Sequence, residues 1–282
     1  MTVFRQRARP QSRGLSIGRI VIGLIVAAFA LISYFGSSVY NPVTEEDQHV
    51  AITQEQEIAL GLQSAPEMTQ EYGGLYPDQQ AQNYLDQVCE RVIGNSQAAE
   101  TGYPFECQLL DAPDTINAFA LPGGPLFITT GLYKLLETEG QLAGVMAHEV
   151  GHVVARHSAQ QIARMQLAQG LSGAAVIATY DPNDPRSRQT AQMAALISQV
   201  VNMKFGRDDE LQSDRLGVRF MANGGYDPRS MIRVMEILDE ASGGQRPPEF
   251  FSTHPNPENR IANIQQAIDE LYPNGVPEGL EP

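Results

Sequence analysis

The sequence predicts an α+β fold, predominantly helical, with one small β-sheet and a single transmembrane helix at its N-terminus. Three observations point there: an uncharged apolar run behind a cluster of arginines, a short β-forming block between residues 105 and 129, and helical patterning with few breaks from Leu132 onward. At 282 residues, with 42% hydrophobic, 18% charged and 7% aromatic side chains, the chain can bury a sizeable core. That composition excludes both a disordered chain and a polytopic membrane protein. The net charge of −14 is unevenly spread: the first forty residues hold Arg5, Arg7, Arg9, Arg13 and Arg19 and no acid, leaving 14 basic against 33 acidic side chains, a balance of −19, in the rest. Phosphate backbones repel such a body, so nucleic acid is excluded as a partner.

Taken in order, residues 1–14 read as a basic cytoplasmic tail and 15–40 as a transmembrane signal-anchor. The apolar core from Ile20 to Phe35 falls short of the ~20 residues that span a bilayer, and small residues as far as Tyr40 bring it into range. Arginines ahead of the run and Glu45-Glu46-Asp47 behind it predict a single-pass protein of the bacterial inner membrane, its body on the periplasmic or extracytoplasmic side. A cleaved signal peptide is the alternative, since Ala28-Phe29-Ala30 has the small-x-small form of a cleavage site; the apolar run nevertheless continues through Leu31, Ile32, Tyr34 and Phe35. Both readings export the body, and the absence of cysteine there excludes a lipoprotein signal. Cys89 and Cys107, the only cysteines, either form one disulfide or stay as buried thiols.

Residues 41–52 read as a stalk, 53–272 as the folded domain, and 273–282, rich in Pro and Gly, as a flexible tail. A polar helix is expected from Thr53 to Leu62 and a second from Gln79 to Ile93, with Tyr84, Leu85, Val88 and Val92 at helical spacing. Phe105–Leu110 reads as a strand, and Asn117–Thr129 as two short strands around Pro122-Gly123-Gly124. The later helices break at 181–185 and 223–228. The apolar stretches Leu171–Tyr180 and Ala191–Val201 are too short to cross a bilayer and read as core or lid helices. Met165, Met193 and Met203 read as core fillers.

Chemistry concentrates in Ala147-His148-Glu149-Val150-Gly151-His152. Two histidines four apart on a helix leave the same face and can occupy two corners of a zinc tetrahedron, while Glu149 can reach an attacking water without ligating. Catalytic zinc takes three protein ligands. Downstream, Glu210 and Asp214 are again four apart on one helical face: Glu210 suits the third ligand, and Asp214 suits the acceptor that fixes the tautomer of a liganding histidine. His157, five positions after His152, is expected to point away from the metal face as a surface or capping residue. His49 falls in the stalk and carries no expected role.

With these residues quoted, the sequence resembles the zinc metallopeptidase family of the CAAX prenyl protease, HtpX, BepA and LoiP, the Ste-type gluzincins. The resemblance runs from about Gln54 to Ile268 and rests on Asn117-Ala118-Phe119-Ala120-Leu121-Pro122-Gly123-Gly124, on His148–His152, on Glu210–Asp214, and on Ser252-Thr253-His254-Pro255 with Arg260-Ile261. It implies a gluzincin-type domain with the small sheet beside the active-site helix. It also implies one Zn2+ per chain held by His148, His152 and Glu210, and a polypeptide substrate laid along an edge strand formed by Asn117, Ala118, Phe119 and Ala120. The chain departs from the integral membrane members in having one anchor and no expected span inside the catalytic region, and from BepA in showing no helical-repeat segment after it.

The chemistry this implies is zinc-assisted peptide hydrolysis with Glu149 as general base. His254 and Arg260 are candidates to stabilise the oxyanion, with Tyr226 a third. His254 has a second reading, as an occupant of the open zinc position that keeps the enzyme inactive until its loop moves. The expected function is therefore a membrane-anchored, exported zinc metalloendopeptidase acting on unfolded or misassembled envelope proteins. The alternatives are a chaperone-like or adaptor protein whose zinc site is closed by His254, and a structural anchored domain that binds no zinc.

Overall fold

The computed structural model describes residues 17–179, 205–243, 248–255 and 259–282. The basic tail, the stretch Ala191–Val201, Met193 and Met203 lie outside these residues. The described chain divides into two compact units, one of residues 17–33 and 165–179, the other of the remainder.

In the first unit, helix α1 (Ile17–Gly36) is mostly exposed, with apolar side chains such as Ile17, Phe29 and Ile32 on its surface. Among the described residues it is the one helix long and apolar enough to cross a membrane. Its backbone meets the second half of α6 (His157–Thr179) through small residues: a Cβ on Gly23 would stand 2.8 Å from the Ala174 carbonyl oxygen, and one on Gly170 would stand 2.6 Å from the Ala30 Cβ.

The second unit opens with structure where the sequence predicts a stalk. Strands β1 (Ser38–Asn41) and β2 (Glu46–His49) form an antiparallel hairpin with Tyr40 opposite Asp47. The anchor expected to reach residue 40 is helical only to Gly36, and the expected stalk of 41–52 is largely folded. Asn41 is the reason: buried, it caps the turn by accepting from the Val43 N–H at 2.9 Å and donates to the Val154 carbonyl at 2.7 Å, so the hairpin is tied to the body.

Helix α2 (Gln54–Glu71) starts at a capping box between Thr53 and Gln56 and runs past the expected end at Leu62, because Pro66 forgoes one backbone bond without ending the helix. Helix α3 (Gln79–Gly94), capped by Asp78, buries Leu85, Val88, Cys89 and Val92. A disulfide joins its Cys89 to Cys107 of β3 (Glu106–Leu110). With β4 (Ala118–Ala120) and β5 (Pro125–Thr129) this strand makes a three-stranded sheet in the order β3-β5-β4, β3 parallel and β4 antiparallel to β5. The positive φ of Gly123 and Gly124 turns the chain between β4 and β5.

A short helix α4 (Thr130–Tyr133) leads to α5 (Glu139–Val154), capped by Thr138 and buried from Gly140 to Val154. This helix is the axis of the unit, packed between the sheet, α3, α7 (Arg207–Asn223) and α8 (Ser230–Ser242). The crossing of α5 and α7 is close because a glycine stands on each helix. A Cβ on Gly151 would be 2.8 Å from Ser213 Oγ and 3.0 Å from its carbonyl oxygen, and one on Gly217 would be 3.3 Å from the His148 nitrogen. The chain closes with α9 (Phe250–Thr253) and α10 (Arg260–Leu271). Residues 273–282, expected as a flexible tail, are fixed at their end by backbone hydrogen bonds: the Glu281 carbonyl accepts from Asp227 at 2.7 Å and the Pro282 carbonyl from Gly140 at 2.8 Å. The Gly140 donor is one that α5 leaves unpaired in its first turn, which gives the tail something to satisfy.

Candidate metal centre

Four elements bring their polar side chains to one buried point. Helix α5 supplies His148, Glu149 and His152, α7 supplies Glu210 and Asp214, the segment after α9 supplies His254, and α10 supplies Arg260. His148 and His152 direct their Nε2 atoms to the same place, 3.0 Å apart, as a four-residue helical spacing requires. Glu210 reaches both, its Oε2 3.5 Å from His148 Nε2 and its Oε1 3.4 Å from His152 Nε2, because the glycine crossing lets α7 lie close against α5. His254 places Nδ1 3.1 Å from Glu210 Oε1 and 3.4 Å from His148 Nε2. One donor atom from each of His148, His152, Glu210 and His254 lies within 4.8 Å of the others, and all four residues are buried.

This donor set fits zinc: two imidazoles and a carboxylate, with a third imidazole at the remaining corner. The fit has an independent sign. Both oxygens of Glu149 and Oε2 of Glu210 are buried and make no hydrogen bond, although His254 Nε2 lies 3.6 Å from Glu149 Oε1 and Arg260 Nη1 3.2 Å from Glu210 Oε2. Buried carboxylate oxygens are rarely left without a hydrogen bond, and a cation beside those of Glu149 and Glu210 would account for them.

Around the donors, Asp214 Oδ1 stands 2.8 Å from His148 Nδ1, which puts the ring hydrogen on Nδ1 and leaves Nε2 for a metal. Arg260 is buried and grips Asp214 with two hydrogen bonds of 2.8 and 2.9 Å, while its Nη1 lies 3.2 Å from Glu210 Oε2. Burial acts to raise the Glu210 carboxyl, but His254, His148 and His152 together hold it well below the usual range. Burial lowers the His152 imidazole well below its ordinary value and so favours the neutral ring. Burial and Arg260 act in the same direction on His148; hydrogen bonding to Asp214 and Glu210 overcomes them and raises it to about 9. Glu149 is pushed up from its ordinary value, chiefly by burial.

Several expectations change. His157 is buried, not a surface or capping residue, and its Nδ1 lies 2.9 Å from His152 Nδ1. A helical wheel drawn through residues 148–157 points it elsewhere, but α5 ends at Val154 and Arg156 takes φ +57°, so α6 sets off in a new direction from His157. Arginine gives no sequence signal for that left-handed conformation; it is held there by Glu57 at 2.8 Å and the Ile52 carbonyl at 2.8 Å. Tyr226 is not in the site. Its hydroxyl bonds Glu139 at 2.7 Å, at the far end of α5. Arg260 is in the site but engages carboxylates, a geometry unlike that of a free oxyanion donor. Strand β4 lies at the edge of its sheet, and Asn117, just before it, donates to Glu249 at 3.2 Å. His49 stacks against Tyr34, with ring centroids 4.4 Å apart, well outside the donor cluster.

The chain matches Peptidase family M48 over residues 79–268. It is 31% identical over 196 residues to the Beta-barrel assembly-enhancing protease of Escherichia coli (strain K12), an alignment covering 67% of this chain and 39% of that protein. It is 28% identical over 253 residues to the Mitochondrial metalloendopeptidase OMA1 of Schizosaccharomyces pombe, covering 89% of this chain and 72% of that one. The chain thus spans about two fifths of the length of the assembly-enhancing proteases it matches. Because the family match extends over more than half of the chain, the chain belongs to peptidase family M48, the zinc metallopeptidases that its motifs resemble.

Proposed function

We propose that this chain is a membrane-anchored zinc metalloendopeptidase that hydrolyses peptide bonds in unfolded or misassembled envelope proteins. The observation that carries the reading is the convergence of His148, His152 and Glu210 on one buried point beside the carboxylate of Glu149, which makes no hydrogen bond. Zinc held there would supply a Lewis acid for the scissile carbonyl and make the attacking water more acidic. Glu149 takes the proton of that water and delivers it to the leaving amine, a role its raised affinity for protons suits. Asp214 and Arg260 hold the ligands: Asp214 sets the His148 tautomer, and Arg260 balances the charge of two buried carboxylates.

The edge position of β4 favours a substrate that adds as an extended strand beside Ala118–Ala120, with Asn117, whose backbone is already bonded to Thr129, at the end of that strand. An unfolded polypeptide can offer such a strand. Export to the periplasmic side is supported by the arginines ahead of α1, the acidic turn after it, and the Cys89–Cys107 disulfide, a bond that persists in oxidising compartments. His254 stands where substrate and water need room, so we assign it a closing role that its loop relieves by moving. The adaptor alternative keeps the metal and never cleaves; the relatives, named as proteases and metalloendopeptidases, favour cleavage.

The test is cleavage of casein by the full-length zinc-loaded protein in detergent, beside Glu149→Gln. We expect activity that falls by about 10²–10⁴-fold in the variant while bound zinc stays the same. Equal activity in both would remove Glu149 from the mechanism, and full zinc occupancy without cleavage in the wild type would favour the adaptor.

A further inference from the structure

His148 and His152 are held at their outer nitrogens by different groups. His148 rests on a carboxylate, Asp214; His152 rests on the ring of His157, Nδ1 facing Nδ1 at 2.9 Å. Two facing ring nitrogens make a hydrogen bond only if one donates and the other accepts, and the pair by itself leaves the direction open. The neighbours decide it. The Glu46 carboxylate only accepts, so Gln212 turns its amide nitrogen towards it, Nε2 to Glu46 Oε2 at 2.7 Å. That leaves the Gln212 amide oxygen facing His157 Nε2 at 2.9 Å. An amide oxygen accepts, so His157 carries its hydrogen on Nε2 and presents a bare lone pair at Nδ1. His152 must then carry its hydrogen on Nδ1, and its Nε2, the atom 3.4 Å from Glu210 and 3.0 Å from His148 Nε2, is left free to bind a metal.

We propose that His157 and Gln212 are positioning residues that lock His152 in its metal-binding tautomer, with Glu46 of the β1–β2 hairpin setting the direction of the relay. The inference rests on the metal centre proposed above and names residues outside the ligand set. Two features make the relay a built one. His157 is wholly buried, so water does not compete for its nitrogens. The hairpin bearing Glu46 is tied to the end of α5 by Asn41, 2.7 Å from the Val154 carbonyl, two residues from His152. The outer end opens into a cleft of about 310 Å3 that Glu46 and Gln212 line with Arg215, so substitutions there do not disturb the core.

The experiment measures zinc affinity by chelator competition, and histidine ring ¹⁵N shifts, on the full-length protein in detergent. We expect His157→Leu to weaken zinc binding about 10–100-fold, as loss of a ligand's hydrogen-bond partner commonly does. His157→Asn, whose side-chain oxygen can take the place of Nδ1 and accept the same hydrogen, should stay within about threefold of the wild type. Gln212→Leu should broaden or split the His157 and His152 ring signals between tautomers and leave those of His148 unmoved. Equal losses in the Leu and Asn variants would mean that His157 only fills space, and wild-type affinity in His157→Leu would also overturn the relay. If His157→Leu does not fold, Gln212→Leu decides: unchanged ring signals and zinc affinity reject the proposal. A wild-type protein that binds no zinc would reject the metal centre itself, whereas zinc binding indifferent to all three variants rejects only the relay.

Discussion

At the scale of single residues, the ligand side chains work because they are buried among partners that fix both charge and orientation. His254 has its Nδ1 3.1 Å from Glu210 and 3.4 Å from His148, the position in which we propose that it closes the site. We expect His254→Ala to raise basal cleavage of an unfolded substrate several-fold, roughly the effect of removing a competitor for one coordination position, and to speed zinc loss to a chelator. A variant with neither change, measured by initial rates and by zinc release, would show that His254 does not close the site. The pairs His148/His152 and Glu210/Asp214 were legible in the sequence because helical periodicity puts residues four apart on one face, whatever the rest of the chain does, and Glu149 was legible from its place next to His148. His157 was not, because its position depends on the left-handed backbone of Arg156, which Glu57 and the Ile52 carbonyl hold from another part of the chain.

Between elements, the decisive contact is the crossing of α5 and α7, where the backbone of Gly151 meets Ser213. Alanine at 151 would gain about 1 kcal/mol of helix propensity. Its Cβ would nevertheless stand 2.8 Å from Ser213 Oγ and 3.0 Å from the Ser213 carbonyl, and overpacking of this kind costs about 1–3 kcal/mol. The hydroxyl can rotate away; the carbonyl cannot, so the helices must separate. Gly151→Ala should therefore leave thermal stability within a few degrees of the wild type while weakening zinc binding, because Glu210 and Asp214 ride on the helix that moves. A calorimetric scan paired with a zinc titration checks this; unchanged zinc affinity would show that the crossing has slack. The sequence displayed both glycines without showing that Gly151 faces Ser213 and Gly217 faces the backbone of Ala147 and His148.

Across the whole molecule, the Cys89–Cys107 disulfide ties α3 to β3 at a distance from the metal ligands. A loop of this size contributes about 3 kcal/mol by restricting the unfolded chain. Replacing both cysteines with serine should lower the unfolding midpoint by several degrees without changing zinc stoichiometry, as monitored by circular dichroism and metal analysis. Loss of zinc together with the fold would instead tie the bridge to the site. The hairpin and the chain end belong to this scale too. Residues 41–52 and 273–282 look like linkers by composition, and both are held by hydrogen bonds to α5, Asn41 to the Val154 carbonyl and Gly140 to the Pro282 carbonyl.

The sequence by itself determined the features set by local periodicity and residue type: the apolar α1, the strands around Gly123-Gly124, the histidine pair and carboxylates of the candidate site, and the family they resemble. Tertiary structure alone decided the features that depend on two distant segments meeting. It brought Glu210 against His148 through the Gly151 crossing, turned Arg260 onto carboxylates, placed Tyr226 at the other end of α5, and aligned Glu46, Gln212 and His157 behind His152. The physical reason is that helix and strand periods are properties of the local backbone, whereas a hydrogen bond between residues far apart in the chain exists only once packing has fixed both ends.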